Sequence, residues 1–525
     1  MGKLLSPYYK LLFDEITNGI SSNTSHYYAF AANPVEYSNT VPNVANNDYD
    51  NTFLNNWLMI FGKKLSTNDI APVIEKNIWT TNTVYTRYDN TSNNLSNFYV
   101  ISEPSIVGGN YNIYKCIDNA NGAPSTVDPS SISVPTQTST FQTADNYKWR
   151  YLTSISYKNY EKFASDDYVP VFTNASLSST SSSRAGVDVV IISNGGIGYE
   201  TYHSGNVLSI DSSSNGYIIQ IENTAKPIND YYVKNSIYIY NTSDTSTAQL
   251  LDVQDYVSNS QGNWVYVSNN SINVSTIAPG ISKYTISPKV VFDSDGDSDP
   301  IAYTVINSDS GNTISEVVML ESGSNISWCN VSIQSNNSFG TGANVYAIVP
   351  PPGGHGFDPA IELNAKGLSI NFQFANTEAN NILTSNVVYN KIGILKNPNE
   401  LISNVSSGSI SYGNRYTANT FDQVLKANVS VSNTLSIGTT VSGNTSNAKG
   451  IVVFSNTSQL YLVGDKNFID GEYIKDSSNN SLSTISINEV SDIYPKNLKP
   501  IYVENINNIN RSDEQTEEFK LLIKN

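Results

Sequence analysis

The chain has 525 residues, of which 39% are apolar and only 14% charged, and it contains 35 Tyr and 17 Phe. Disordered chains combine high net charge with few aromatic residues, so this composition excludes a largely disordered protein. With 29 basic and 46 acidic residues the net charge is −17, and repulsion from phosphate backbones excludes nucleic acid as an expected partner. The sequence contains no apolar run long enough for a transmembrane helix, so we expect no membrane partner.

The N-terminal segment predicts the clearest helix of the chain. Ser6 suits an N-cap, Pro7 the first helical position and Gly19 the end of the helix, so we expect a helix over about residues 6–19. Apolar residues recur there at helical spacing, namely Leu5, Tyr9, Leu12, Phe13, Ile16 and Ile20. The segment has no uninterrupted apolar core of the kind found in signal peptides, so we expect no export signal.

The next apolar run is FLNNWLMIFGKK at residues 53–64, and its compactness indicates a short helix. Most later segments are rich in Tyr, Val, Ile and Thr, which favour strands. The expected fold is therefore mainly β, with a multi-domain, β-sandwich-like architecture and a few short helices, one of them near the N-terminus.

Two segments predict strands with particular clarity, NIYKCIDN at residues 112–119 and NYKWRYLTSI at residues 146–155. In the second, aromatic residues alternate with Lys148 and Arg150, which is the period of a half-buried strand. The aromatic residues that we expect in a core or an interface are Trp79, Tyr85, Tyr147, Trp149 and Tyr151.

Changes in composition along the chain predict five segments. The first boundary is placed at the serine-rich NASLSSTSSSRAG (174–186). Beyond it, residues 187–200 predict a strand followed by a Gly-Gly turn, and residues 314–352 predict three further strands. The expected segments are an N-terminal body at 1–173, a β-rich middle region at 174–350, a core segment containing GGHG at 351–414, a small β module at 415–494 and a C-terminal strand segment at 495–525.

His355 is the residue that most suggests chemistry, because it lies among glycines in PPPGGHGFDPA (350–360). The chain has three histidines, none near another in sequence and none in an H-E-x-x-H pattern, so we expect no zinc site. We interpret Gly353, Gly354, His355 and Gly356 as a structural turn whose imidazole bonds to the backbone. Removing that ring is then expected to cost about 1 kcal/mol.

The sequence leaves some other kinds of functional site open and disfavours the rest. Alternate aspartates in DSDGDSDP (Asp293, Asp295, Asp297 and Asp299) have calcium-loop spacing, but the Gly and Glu that an EF-hand needs are absent. A Ser-His-Asp triad or a glycosidase carboxylate pair stays open, because such residues are scattered in sequence. Cys116 and Cys329 are far apart and predict reduced thiols. We expect no catalytic residue, cofactor or metal.

Six stretches, taken together and in order, resemble the outer baseplate wedge subunit of T-even-type contractile-tailed bacteriophages. They are YYAFAANP (27–34), MIFGKKLSTNDIAPVIEKNIWTTNTVYTRYD (59–89), YNIYKCIDNANGAPSTVDP (111–129), DNYKWRYLTSI (145–155), PPGGHGFDPAIEL (351–363) and IYVENINNINRSDEQTEEFKLLI (501–523). The regions at about 205–290 and 415–490 lie outside the resemblance and are expected to be added β modules. Deleting 415–490 is then expected to leave a soluble, assembling protein.

The resemblance implies a structural protein without enzymatic activity. It implies a homodimer that joins other baseplate wedge proteins, located in the tail baseplate of the virion and assembled in the host cytoplasm. It also implies one discontinuous domain made of residues 1–170 and about 495–525. At the C-terminus, Ser512 and Gln515 fit a helix capping box, whereas Phe519, Leu521 and Ile523 alternate as in a strand, and the resemblance favours the strand.

Two other classes of protein fit the composition. A tail spike or depolymerase that binds or cuts host polysaccharide would also be acidic, β-rich and rich in Asn and Ser. Such a fibre is expected to show many short rungs at a steady period, which this sequence does not. A bacterial surface adhesin is disfavoured because no export signal is evident.

Overall fold

The computed structural model describes residues 6–37, 41, 57–90, 96–137, 139–173, 186–199, 203–268, 272–307, 311–335, 340–378, 381–430 and 434–524. The structure is 51% strand and 9% helix, which confirms the mainly β, multi-sheet fold. It forms two compact units. Unit 1 comprises Met1–Ile74, Lys162–Ser165 and Ala365–Asn525, and unit 2 comprises Glu75–Glu161 and Asp166–Asn364. None of the helices in the described residues has the length and apolar character needed to cross a membrane.

The expected segment boundaries remain predictions. The serine-rich stretch that suggested the first of them lies, over residues 174–185, outside the described residues. The two units are defined by packing, and each is larger than any of the segments that the changes in composition predict.

The chain begins with one helix and three strands. They are α1 (Ser6–Ser21), β1 (Tyr27–Ala32), β2 (Met59–Lys64) and β3 (Ile70–Glu75). Helix α1 confirms the predicted N-terminal helix. The predicted helix at 53–64 is wrong over its last six residues, because β2 pairs with β1 and buries Met59, Ile60 and Phe61. Pairing and burial outweigh the weak helical preference of a short apolar run.

The middle of the chain supplies seventeen strands and two short helices. They are β4 (Tyr99–Ser102), β5 (Tyr111–Asn119), β6 (Phe141–Gln142), β7 (Tyr147–Ile155), α2 (Tyr157–Phe163), β8 (Tyr168–Pro170), β9 (Val189–Ile197), β10 (His203–Ser213), β11 (Gly216–Ile221), β12 (Asn235–Asn241), β13 (Asp244–Asp252), β14 (Asp255–Asn259), β15 (Gly262–Ser268), β16 (Lys283–Ser294), β17 (Ile301–Asn307), β18 (Thr313–Glu321), β19 (Cys329–Gln334), β20 (Thr341–Ile348) and α3 (Pro359–Glu362).

The remaining strands belong to the C-terminal part of unit 1. They are β21 (Gly367–Phe374), β22 (Thr377–Glu378), β23 (Asn381–Ile382), β24 (Val387–Lys396), β25 (Asn399–Asn404), β26 (Ser409–Arg415), β27 (Thr420–Asp422), β28 (Leu425–Asn428), β29 (Thr440–Gly443), β30 (Lys449–Ser455), β31 (Gln459–Gly464), β32 (Tyr473–Lys475), β33 (Ser481–Thr484), β34 (Ser486–Glu489), β35 (Lys499–Arg511) and β36 (Glu517–Lys524). Short 3₁₀ helices occur at Thr67–Asp69, Ala120–Gly122, Pro129–Ser131, Val274–Thr276 and Pro495–Asn497.

Unit 1 joins strands from both ends of the chain. One antiparallel sheet has the order β27-β2-β1-β24-β35, and β21 pairs with both β3 and β36. The C-terminal strand is thereby confirmed. Ser512 and Gln515, which fitted a helix cap, do bond to each other, but in the turn between β35 and β36. Buried Arg511 fixes that turn by donating to Glu517 and to the Phe374 carbonyl.

Unit 2 contains the two strands predicted with particular clarity. Strands β5 and β7 are neighbours in a four-stranded sheet of order β4-β5-β7-β6. The three strands predicted in residues 314–352 are also present, as β18, β19 and β20. The predicted Gly-Gly turn is wrong, because Gly195 and Gly196 lie inside β9, which pairs with β20. A side chain at Gly196 would meet the Thr341 carbonyl, so close strand approach explains that glycine.

Residues 207–286 of unit 2 have a hydrophobic core of their own. Its buried members include Val207, Tyr256 and Tyr284, and all of them come from this stretch. The stretch starts and ends where β10 pairs with β16, with Asn206 opposite Lys283. This geometry suits a module that enters and leaves its unit through one pair of adjacent strands.

The C-terminal module is less independent than expected. It forms a seven-stranded sheet from β28 to β34 around a core of its own, with buried members from Leu425 to Ile485. However, β27 at Thr420–Asp422 pairs with β2, and Val453 and Val463 belong to the main core of unit 1. Deleting residues 415–490 would remove β27 and these two core residues from the body of unit 1. A deletion that leaves the body intact would therefore have to be shorter.

The module at 207–282 is a better candidate for deletion. Joining Asn206 to Lys283 through Asn-Gly would close β10 and β16 as a hairpin, because this dipeptide favours two-residue hairpin turns. Tyr284→Thr and Ile286→Thr are added because both side chains lose their core. We expect a soluble protein that retains the buried emission of Trp149 and the strand signal in circular dichroism.

A matched control removes only β12 and β13 (residues 235–252), which takes Ile237, Ile239 and Leu251 out of the module core and leaves the rest of that core without them. We expect this shorter deletion to aggregate or to lose stability. Equal insolubility of both deletions would show that residues 207–282 are integral to unit 2.

Candidate functional site

A lysine occupies the centre of a buried strand in unit 2. Strand β5 buries five consecutive residues, Ile113 to Ile117, and Lys115 is the one charged residue among them. Its side chain is 0% exposed. A buried ammonium is costly unless it is paired, so the surroundings of Lys115 define the candidate site.

The glycine-rich loop before α3 provides the partners of Lys115. Gly353, Gly354 and Gly356 all have positive φ, at 86°, 90° and 76°. At Gly356 a Cβ atom would lie 2.4 Å from the Leu152 carbonyl oxygen, so a glycine is required there. The loop ends at Asp358, which caps α3 by accepting from the Ile361 N–H. Glu362, the last residue of α3, is thereby placed beside His355.

Lys115, His355 and Glu362 form one buried cluster. The Lys115 ammonium donates to Oε1 of Glu362, and Nδ1 of His355 lies 2.8 Å from both that oxygen and the Lys115 Nζ atom. The Gly356 N–H donates to Oε2 of Glu362 at 2.7 Å. Both carboxylate oxygens are therefore engaged, and the His355 and Glu362 side chains are each 1% exposed.

Aromatic and charged residues complete the surroundings of the cluster. The Lys115 Nζ atom lies 3.6 Å from the centre of the Tyr88 ring, a cation–π contact. On the other side, Nε2 of His355 has no hydrogen-bond partner among the described residues and lies 3.8 Å from Oδ2 of Asp188. Asp188 is held by Arg150 at 3.0 Å and by the Thr140 hydroxyl at 3.2 Å.

Burial and charge shift the pKa of each member of the cluster. Burial lowers the pKa of Lys115, and burial together with the Lys115 charge lowers the pKa of His355 below 6.5. For Glu362, burial acts to raise the pKa, but the Lys115 charge and the His355 hydrogen bond prevail and lower it to about 2. The resting cluster is thus an ammonium–carboxylate pair beside a neutral imidazole.

The structure differs from the expected environment of His355. The ring bonds to the side chains of Lys115 and Glu362, not to the backbone. Sequence reasoning missed these two residues because they are 247 positions apart. A signal for Lys115 exists in hindsight, since it is a lone charge in an apolar run that otherwise predicts a buried strand.

The five aromatic residues singled out in the sequence lie together elsewhere in unit 2. Tyr85, Tyr147 and Trp149 are buried, and Trp79 and Tyr151 are partly buried against them. The Tyr147 and Trp149 rings stack with centres 5.3 Å apart. This arrangement makes the cluster a packed core that supports β5 and β7.

The remaining sequence candidates are placed apart from this cluster. Asp295 accepts from the Ser327 backbone and hydroxyl groups, so its carboxylate ties two loops together. In the part of the chain that the structure describes, no group of three or more His, Cys, Asp or Glu side chains is placed to hold a metal ion. Cys116 and Cys329 are free thiols, and burial raises the pKa of each.

Unit 1 contains a cavity of about 1000 Å³ between the body and the C-terminal module. Its lining combines aromatic rings, among them Phe454 and Tyr461, with carboxylates that include Asp422, Glu489 and Asp492. Burial raises the pKa of Asp492, whose Oδ2 atom accepts from the Asp422 N–H at 2.7 Å. The cavity thus offers stacking surfaces and hydrogen-bond acceptors.

A second buried lysine, Lys466, lies in the same unit. Its ammonium donates to the Gln423 carbonyl at 2.6 Å, and that oxygen also accepts from the Ser491 hydroxyl. Lys466 is 3% exposed, and burial lowers its pKa to about 7 in spite of the nearby Asp422 and Asp465 charges.

No protein-family model matches the sequence, and no curated protein matches it.

Replacing His355 tests the cluster through its pH dependence. Because the folded pKa is below 6.5, the unfolded chain binds a proton that the folded chain does not, and wild-type stability falls as pH drops below 6.5. His355→Gln keeps a donor for Glu362 and removes this titration. We expect wild type to lose up to about 1 kcal/mol more than the variant over one pH unit below 6.5.

Denaturant unfolding followed by Trp fluorescence at pH 5.5 and 6.5 measures this difference. Glu362 does not interfere there, because its transition lies between its ordinary value of 4.5 and about 2. His355→Ala removes the donor as well, and leaving the carboxylate short of a partner is expected to cost about 1–3 kcal/mol. Parallel pH profiles for wild type and His355→Gln would contradict a buried neutral imidazole.

Lys466→Met is expected to stabilise unit 1 near neutral pH. Wild-type stability should rise between pH 7 and 10.5, because over that range the unfolded chain holds a proton that the folded chain lacks. The variant lacks this dependence and should be more stable by about 1–4 kcal/mol at pH 7, with the gain vanishing near pH 10.5. Hydrogen exchange of unit 1 peptides measures the difference in stability between the variant and wild type. The control is Lys449→Met, which replaces an exposed lysine of the same unit.

Proposed function

We propose that this chain is a structural subunit of a contractile phage tail baseplate wedge. Its work is assembly through protein–protein contacts, and it needs no cofactor, metal or nucleic acid. The observation that carries the proposal is that four of the six stretches resembling that family converge on the Lys115–His355–Glu362 cluster.

The convergence involves segments far apart in the chain. Stretch 59–89 contributes the Tyr88 ring and stretch 111–129 contributes Lys115. Stretch 145–155 contributes Arg150, which holds Asp188, and stretch 351–363 contributes His355 and Glu362. These four stretches are far apart in the sequence and contribute side chains to one buried centre, which supports the proposal for the part of unit 2 that surrounds this centre.

The stretches within unit 1 also come together although they are far apart in the sequence. Those at 27–34 and 59–89 supply β1 and β2, which pair with each other, and stretch 501–523 supplies β35 of the same sheet. Strand β35 reaches β1 through β24, which pairs with both. The two ends of the chain therefore contribute strands to one sheet of unit 1. The expected discontinuous domain of residues 1–170 and about 495–525 differs from this unit, because residues 75–161 belong to unit 2.

Several large apolar side chains on the described surface suit protein–protein contacts. Trp328 of unit 2 and Tyr412 and Tyr473 of unit 1 are exposed by 40%, 64% and 53%. Aromatic residues anchor such interfaces. We propose a homodimer that joins other wedge proteins, with each contact burying on the order of 1,600 Å² in total.

A second candidate function rests on the cavity in unit 1. Its aromatic and carboxylate lining suits a polysaccharide, which would fit a tail spike or depolymerase. This alternative predicts sugar binding or release of reducing ends, and it predicts loss of either effect in Asp422→Asn or Asp492→Asn.

The position of the chain in the phage particle tests the proposal. Cryo-electron microscopy of the intact particle should place paired copies in the wedges of the baseplate. In parallel, the purified protein incubated with host polysaccharide should release no reducing ends. A trimeric fibre at the tail tip, or sugar release that Asp492→Asn abolishes, would overturn the wedge proposal in favour of the second candidate.

A further inference from the structure

We propose that Lys115 and Glu362 become joined by an intramolecular isopeptide bond that links β5 to α3 within unit 2. The geometry that points to it is the cluster described above, in which an amine, a carboxyl group, a proton relay and an oxyanion donor are in contact and out of water. The inference depends on this geometry and not on the proposed wedge function.

Burial favours the bond thermodynamically. In water, an ammonium and a carboxylate are stabilised by solvation and do not condense to a measurable extent. Here the Lys115 and Glu362 side chains are 0% and 1% exposed, so the folded protein carries the cost of holding two desolvated charges. Condensation replaces the ion pair with a neutral amide and releases one water molecule, which removes that cost.

The proton path runs through His355. Its Nδ1 atom lies 2.8 Å from the Lys115 Nζ atom and 2.8 Å from Oε1 of Glu362, and it can serve only one of them at a time. Accepting from the ammonium and then donating to the carboxylate moves one proton between the two groups. Asp188, 3.8 Å from Nε2, stabilises the imidazolium that forms in between. The Tyr88 ring is a further neighbour of the ammonium, with its centre 3.6 Å from the Lys115 Nζ atom.

The bond-forming step balances in atoms and charge. After proton transfer the neutral Lys115 amine attacks the carboxyl carbon of Glu362, forming a C–N bond. Negative charge develops on Oε2, where the Gly356 N–H already donates at 2.7 Å. The surplus proton of the nitrogen returns through His355 to Oε1, the C–O bond breaks, and Oε1 leaves as water. No oxidant, reductant or other reactant takes part.

The bond would close a covalent loop between two residues 247 positions apart in sequence. A cross-link of this kind restricts the unfolded chain, and the restriction grows with loop length. It would also resist reducing agents, unlike a disulfide. Cys116 and Cys329 are both free, so no disulfide supplies such a link in this chain.

Mass spectrometry of the full-length protein tests the proposal directly. The intact, denatured protein should be lighter than its sequence mass by one water molecule. A tryptic digest should contain a branched peptide that joins the segments around Lys115 and Glu362, and fragmentation should place the lost water at that junction. Freshly purified protein and protein aged at neutral pH are compared, so that slow formation is also detected.

Three variants assign the roles of the residues. Lys115→Arg keeps a positive charge but should show the full sequence mass. Glu362→Gln should lose one ammonia instead of one water, or remain unlinked. His355→Gln should fold and form the bond more slowly than wild type.

The wild-type measurement decides the question even where a variant fails to fold. Unmodified Lys115 and Glu362 in separate peptides of aged wild-type protein would overturn the proposal and leave an ion pair only. A loss of water located elsewhere in the sequence would overturn it equally. None of these outcomes bears on the position of the chain in a phage particle, so the two proposals fail independently.

Discussion

The constraint on which unit 2 depends is the cost of taking the Lys115 ammonium and the Glu362 carboxylate out of water. Before any bond joins the two side chains, each charge is tolerated only because the other is present and because the remaining hydrogen-bonding positions are filled. The Gly356 N–H fills one of them, and it can do so only in a loop with positive φ that passes close to Leu152. The glycines that first suggested a ligand site are thus explained by the needs of a buried carboxylate.

The sequence predicts those parts of the fold that local patterns determine. Helix α1 and strands β5 and β7 follow from local patterns of apolar residues over ten or so positions. For the C-terminal strand β36 the local pattern also fitted a helix cap, and the resemblance favoured the strand. Strand β2 does not follow from a local pattern, because its apolar run has no clear period and its conformation is decided by pairing with β1. The prediction of a Gly-Gly turn in β9 failed for a similar reason. A Cβ atom at Gly195 would meet the Ile314 carbonyl of β18, and one at Gly196, which has a positive φ, would meet the Thr341 carbonyl of β20.

The candidate site is harder to predict from local sequence patterns than any of the strands. His355 draws attention because its neighbours are glycines, but Lys115 and Glu362 become partners only when residues 247 positions apart are brought together. Composition shows a related limit. The composition alone does not indicate that most non-glycine residues with positive φ in the described chain are asparagines, among them Asn33, Asn146 and Asn397. Asn tolerates this conformation and therefore serves as a turn residue throughout the sheets.

Two stretches of the chain have hydrophobic cores of their own, residues 207–286 and the C-terminal module, so the surface of the chain can vary there without a change at its centre. The core of residues 207–286 is complete within that stretch, so changes there need not reach Lys115 or His355. The C-terminal module has a partial core of its own, but it also contributes Val453 and Val463 to the body of unit 1. Sequence variation in the C-terminal module is therefore limited to the side that faces away from Val453 and Val463. The protein is proposed to act through protein–protein contacts. In that case the surfaces of the modules would determine which partners it binds, and the body would provide its stability. In unit 2 the buried Lys115–His355–Glu362 cluster determines how segments far apart in the sequence pack together.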